Sequence, residues 1–423
     1  MRKLIILSVL LSVLIQAEGF TQERKKTPAL REQVYSQLAR AQQLVDAGDV
    51  DAGLRVLQEV ERKQSSMNSY ERAMLWNFYG YFNYGQDNVE KAIFYFNKLV
   101  EEEALPLALE QNTLFSLAQL SLGQENYDQV LQYLNRWEQL VPQEQQQKGW
   151  VLKAQTLYQQ GNFPQALTAI NQVIQAAVKQ AQKPEENWLI LQRAVYYELD
   201  QMEQVAGVLE QLVKHYNKPE YWVQLAGVYG QLGEHQKQLA LMEVSYQLGY
   251  LAKESELLNL AQTYFFGDLP YQAGQVVAKG MAEGVIQPTL SNLQFLSQAW
   301  IAARETDKAN EALIAAAKLS DNGELDAQRA TLLLNNERYQ EALSAARQAL
   351  EKGQLRQPGM MHLVIGMAEL NLENFNAALQ AFAAAKQFDE AQQLASQWER
   401  YAEAEQQQLQ TLQKLSDVIR SSS

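Results

Sequence analysis

His215, His235 and His362 are the only histidines, the side chains best suited to hold a metal or move a proton near neutral pH. Each lies in a different part of the chain, and none has a second ligand at the i, i+4 spacing that puts two groups on one helix face. With no Cys at all, a zinc centre would have to be built almost entirely from carboxylates. The densest acidic run, Glu101-Glu102-Glu103, reads as exposed charge between helices. G-x-S-x-G, a glycine-rich phosphate loop and H-E-x-x-H are all missing. No enzyme activity, cofactor or metal is therefore expected, and the informative residues are those that build a binding surface.

The elements that would carry such a surface are plainest from Ala73 to Leu99, AMLWNFYGYFNYGQDNVEKAIFYFNKL. Trp76, Tyr79, Gly80, Asn83, Ala92, Phe96 and Leu99 stand at places 4, 7, 8, 11, 20, 24 and 27 of this unit. The pattern is similar to the tetratricopeptide repeat, a pair of antiparallel helices. Small residues at places 8 and 20 let two backbones approach, and large apolar residues fill the space around them. Tyr84 to Asn88 is expected to turn the chain, with Gly85 supplying the unusual φ and Asp or Asn capping the next helix.

Nine further pairs continue the pattern: Ala41/Gly53, Ala118/Val130, Ala154/Ala166, Ala194/Val205, Ala226/Gln238, Ala261/Ala273, Ser297/Ala309, Ala330/Ala342 and Gly366/Ala378. The resemblance implies an all-α, right-handed superhelical solenoid of about ten hairpins over 34–392. A capping helix and polar tail follow over 393–423. The fifth and sixth units are the least regular: Ala194 and Val205 are one residue too close, and Gln238 stands where a small residue is expected. Both departures are read as local irregularity within one solenoid. These units share Lys183-Pro184-Glu185 and Lys218-Pro219-Glu220, in which Pro is expected to open a helix. Pro164 and Pro270 are placed at the start of second helices. In the last segment Leu409, Leu412 and Ile419 are too few to set a heptad.

Residues 1–19 read as a signal peptide: Arg2 and Lys3, an apolar run from Leu4 to Ile15, and small residues for cleavage after Ala17 or Gly19. The run is too short to cross a bilayer as a helix. Residues 20–33 are taken as a flexible lead-in. Without Cys there is neither a lipoprotein anchor nor a disulfide, so the expected location is the periplasm, with no membrane span in the mature form. Loss of Arg2 and Lys3 takes the net charge of -13 to -15, which argues against nucleic acid and anionic membranes.

In tetratricopeptide superhelices, places 2, 5, 9 and 12 of the first helix face the concave side. Carried over residue by residue, this rule gives a candidate peptide-binding surface of Tyr81, Tyr84, Phe115, Gln119, Gln155, Tyr158, Gln262, Phe265 and Gln298. The Lys, Arg and Asn clamp that grips C-terminal carboxylates in the best-known family site is missing. Amides and aromatic rings suit an extended polypeptide instead, although Tyr81, Phe115 and Phe265 also suit packing between hairpins.

Over residues 30 to 390 the chain further resembles secreted tetratricopeptide proteins of Gram-negative bacteria, in segments such as WVLKAQTLYQQGNFPQAL (150–167) and KPEYWVQLAGVYGQLGEHQKQLALMEVSYQLGYLAKESELLNLAQTY (218–264). Those proteins are encoded beside TonB-, ExbB- and ExbD-type genes and described as candidate components of the TonB system. The resemblance implies a scaffold for such a complex, supporting uptake of iron chelates across the outer membrane. An assembly or stability factor for another envelope complex, in the outer membrane, pilus or cell wall, remains open at this point.

Overall fold

The computed structural model describes the backbone of residues 26–421 and side chains through residue 413. The expected signal peptide and the start of the lead-in lie outside these residues. The described chain folds into 21 α-helices and two short 3-10 turns, with no strand among the described residues. Its contacts divide into two compact units, residues 1–216 and 217–423. The division falls between the two irregular repeats, where the sequence suggests one uninterrupted run.

The first unit holds α1 (Glu32–Asp46) with α2 (Val50–Glu61), α3 (Ser69–Gly85) with α4 (Val89–Val100), and α5 (Leu107–Gly123) with α6 (Tyr127–Glu138). It continues through α7 (Gln147–Gln159) with α8 (Phe163–Lys179) and α9 (Glu186–Glu198) with α10 (Met202–Tyr216). The second unit begins with α11 (Pro219–Gln231) and α12 (His235–Gln247), α13 (Glu254–Phe266) and α14 (Pro270–Ala282), and α15 (Leu290–Ala302) and α16 (Thr306–Ala317). It ends with α17 (Glu324–Asn335) and α18 (Tyr339–Lys352), α19 (Pro358–Asn371) and α20 (Phe375–Ala385), and the long α21 (Gln392–Ser421). Within each unit every hairpin packs on the next. This is the all-helical repeat stack that the resemblance implies.

The small-residue pairs sit where two helices cross. Ala92, Ala118, Ala154, Ala166, Ala261, Ala273, Ala309, Ala330, Ala342 and Ala378 are wholly buried. A Cβ on Gly80 would run into the Phe96 ring, and one on Gly366 would run into Phe382. The irregular sixth hairpin has its own compensation. A Cβ on Gly230 would meet the Gln238 amide at 2.8 Å, so a missing side chain on α11 makes room for the oversized residue on α12.

Each hairpin turn holds one residue at positive φ, a glycine at Gly48, Gly161 and Gly233 and a longer side chain elsewhere, as at Glu125 and Arg304. In the second hairpin that residue is Asp87, not Gly85, which ends α3 inside the helix. Asn88 caps α4 as expected, its side chain accepting from the Lys91 N–H at 3.2 Å. Pro219, Pro270 and Pro164 lie in the first turn of their helices. Pro184 does not open α9. It precedes the Glu185 cap, its carbonyl accepts from the Tyr216 hydroxyl at 2.6 Å, and Lys183 lies 3.5 Å over the Tyr216 ring.

The lead-in is not free throughout. The Arg31 guanidinium donates to both carboxylate oxygens of fully buried Glu71 at 2.6 Å, and the Asn68 amide donates to the Ala29 carbonyl at 2.9 Å. Helix α1 then starts at Glu32. Hydrogen bonding from Arg31 outweighs burial and holds the Glu71 carboxyl below its usual pKa. A depressed carboxylate stabilises the fold above its unfolded-state pKa and loses that contribution as pH falls through the folded value. Glu71→Gln is therefore expected to lower the melting temperature at pH 7. The gap from the parent should narrow steadily as thermal melts are taken down toward pH 3.

Candidate protein-binding faces

Neighbouring first helices touch at α1 and α3, α5 and α7, and α7 and α9 in the first unit, and at α17 and α19 in the second. These contacts bring α5, α7 and α9 side by side in the first unit and α17 and α19 in the second, and the sequence-derived site residues all lie on first helices of their hairpins. Tyr81 and Tyr84 lie one turn apart on α3, 45% and 43% exposed. The Tyr81 ring meets Phe96 edge-on at 5.3 Å, and burial raises its hydroxyl pKa even though the ring is open to solvent.

On α5, Gln119 is exposed. On α7, Gln155 and Tyr158 are half-buried, with the Tyr158 ring 5.6 Å from Phe163. In the second unit Gln262 on α13 and Gln298 on α15 are exposed. The amides of Gln119, Gln155, Gln262 and Gln298 make no hydrogen bond among the described residues, so their donors and acceptors are open to a ligand backbone.

Phe115 and Phe265 have a different role. Phe115 packs 5.5 Å from buried Trp137, with the Lys148 ammonium 4.4 Å above its ring. Phe265 lies 5.7 Å from Phe295 and 6.0 Å from Phe266, against the core of the second unit. Both are mainly packing residues. The site residues also divide six to three between the units, with 81 to 158 in the first and 262 to 298 in the second.

Of the histidines, His362 stacks on Phe388 at 5.7 Å and burial lowers its pKa. Among the described residues, no group of three His, Cys, Asp or Glu side chains could hold a metal ion.

Three features escape a repeat-by-repeat reading. In the first unit Trp76, Tyr79 and Tyr95 stack, with the Tyr79 and Tyr95 rings 4.6 Å apart and the Tyr79 hydroxyl donating to Glu61 at 2.8 Å. Exposed Phe94 abuts them, and the Lys98 ammonium stands 4.4 Å from Trp76 and 4.8 Å from Phe94. The i, i+4 spacing of Phe94 and Lys98 was the readable signal. In the second unit a cleft of about 700 Å³ is lined by Tyr246, Tyr264, Val276, Lys279, Trp300 and Lys308. A groove of about 760 Å³ runs beside α21. Both gather side chains from several consecutive helices, α12 to α16 for the cleft and α19 to α21 for the groove.

The chain matches the tetratricopeptide repeat family over residues 38–106 and 327–395. It matches the family described as subunit 3 of the anaphase-promoting complex, cyclosome, over residues 85–173. No curated protein matches it. Among solved structures it is similar to a tetratricopeptide repeat protein from Parabacteroides merdae, with 15% identity, coverage of 69% of this chain and 96% of the other, and a TM-score of 0.34. It is also similar to YrrB, described as a TPR protein with an unusual peptide-binding site, with 17% identity, coverage of 46% and 99%, and a TM-score of 0.35. A third likeness is to the APC/C hetero-tetramer Cut9–Hcn1, with 14% identity, coverage of 87% and 83%, and a TM-score of 0.28.

Proposed function

Because the chain carries tetratricopeptide repeats, a framework for binding other proteins, we propose that it is a non-enzymatic scaffold of the bacterial periplasm serving a TonB–ExbB–ExbD-type complex. The observation that carries the binding role is the first-helix face, where exposed Tyr81 and Tyr84 stand with unpaired amides at Gln119 and Gln155. Rings offer area that is rigid and apolar at one end, and amides pair with an extended backbone.

The choice of partner rests on the resemblance to secreted proteins encoded beside TonB-type genes and on charge. TonB-type proteins carry extended periplasmic regions rich in proline and lysine. A chain of net charge -13 attracts a basic segment, speeding encounter more than tightening the complex. In this reading the scaffold supports uptake of iron chelates across the outer membrane. No described helix is long and apolar enough to cross a membrane.

Affinity capture from envelope extracts tests the proposal, with Tyr81→Ala/Tyr84→Ala as the comparison. TonB-, ExbB- or ExbD-type components are expected with the parent chain and not with the variant. Recovery of outer-membrane, pilus or cell-wall assembly proteins alone would favour the assembly-factor reading. N-terminal sequencing of the protein recovered from the periplasm should begin after Ala17 or Gly19, and an intact Met1 on cytosolic protein would end both envelope readings.

A further inference from the structure

The half-buried Lys98 side chain is folded over three aromatic rings of its own hairpin. Its ammonium stands 4.4 Å from the centre of Trp76, 4.8 Å from Phe94 and 5.8 Å from Tyr95, all within reach of the negative ring faces. Among the described residues that ammonium makes no ion pair and no hydrogen bond. The rings are fixed before any ligand arrives. Tyr95 stacks on Tyr79 at 4.6 Å and on Trp76 at 6.0 Å, the Trp76 indole donates to Glu102 at 3.3 Å, and the Tyr79 hydroxyl donates to Glu61 at 2.8 Å. Glu102 is paired with Arg72 at 2.6 Å, whereas Glu61 makes no ion pair among the described residues and leaves its charge beside the cluster.

Phe94 is the wall that core packing does not explain. Trp76 and Tyr79 belong to the core of the first unit and Tyr95 packs on it, whereas Phe94 stands outside, 53% exposed. The last turn of α4 favours a cation at Lys98 through the helix dipole, but that preference calls for no ring beside it. We propose that Trp76, Phe94 and Tyr95 form a cage for lysine side chains of an extended partner segment, and that Lys98 occupies it as a resident competitor. The site rests on the scaffold role proposed above and does not depend on which partner the scaffold serves. Exchange of one ammonium for another on the same rings is close to neutral, so an isolated lysine gains little against a tethered one. A segment with several lysines has the advantage, because each opening of the cage meets a high local concentration of ammonium. The acidic chain keeps such a segment near, and the cage thereby selects for lysine-rich sequences.

Titration of the full-length chain into a fluorescently labelled peptide of alternating proline and lysine, followed by anisotropy at physiological salt, tests this. Lys98→Ala vacates the cage and should tighten binding by about fivefold, the gain for a site that its resident leaves open about a fifth of the time. Lys91→Ala is the control, because it removes the same charge from an exposed position on the same helix. It should change binding by less than about twofold. Phe94→Ala added to Lys98→Ala removes a wall without the complication of a loosened resident, and should take back about threefold. Circular dichroism melts establish that each variant is folded. Equal tightening by Lys98→Ala and Lys91→Ala overturns the proposal, as does a gain that survives loss of Phe94 or a peptide that binds neither the parent nor Lys98→Ala. Binding abolished by Tyr81→Ala/Tyr84→Ala and indifferent to Lys98→Ala also overturns it, while leaving the scaffold role on the α3 tyrosines intact. A cage gain without capture of any TonB-type component supports the cage and removes only that choice of partner.

Discussion

Gly80→Leu is expected to destabilise the first unit by about 1–3 kcal/mol, the range for forcing bulk into a filled core. The site leaves little room for relief. The substituted Cβ would enter the space of the Phe96 ring, which is itself buried and held edge-on by Tyr81 at 5.3 Å. Separating α3 from α4 is the remaining way out, and that gives up the contact defining the hairpin. Gly366→Leu should do the same in the second unit, because Gly366 stands against Phe382 in the same relation. Gly227, inside α11 with nothing within 4 Å of its missing Cβ, supplies the opposite case. Gly227→Ala should raise stability by about 0.5–1 kcal/mol through helix propensity alone. Denaturant titrations of the three variants therefore carry opposite signs, and a parent-like curve for Gly80→Leu would show that its helices are not packed as described.

The repeat pattern made the fold readable because it is set by short-range spacing: the Gly80–Phe96 and Gly366–Phe382 contacts are both place 8 against place 24 of one unit. Compensation is harder to see. Gln238 looks wrong when its place is judged alone and is accommodated once Gly230, a turn along the partner helix, is included. Turn conformation was misread for a similar reason. Gly85 is the residue best able to adopt positive φ, yet α3 runs through it and leaves Asp87 to make the bend.

Side-chain burial was the weakest part of the site reading. A helix wheel rotated by one residue moves Phe115 from a groove to the Trp137 contact, and spacing alone cannot set that rotation. The α21 groove and the Lys279–Lys308 cleft needed the folded chain, because their walls come from several helices.

This difference between surface and packing residues shapes the binding prediction with the largest expected effect. Tyr81→Ala/Tyr84→Ala should weaken binding of the captured partner by about a hundredfold, the loss expected when two aromatic anchors leave the centre of an interface. Both rings are half open to solvent and neither belongs to the buried core, so the drop in melting temperature should be limited to the lost edge contact of Tyr81 with Phe96. Phe115→Ala is the informative contrast. It removes a ring packed on Trp137 and should lower the melting temperature, so any binding it loses would not distinguish contact from unfolding. The two parts of the interaction should also separate kinetically. Raising salt past physiological strength slows association by screening the acidic chain, whereas the tyrosine substitutions mainly speed dissociation and do so at every salt concentration. Surface plasmon resonance with the proline- and lysine-rich segment of a TonB-type protein gives both rates. Unchanged dissociation for the double variant, with its fold intact, would remove the α3 face from the interface.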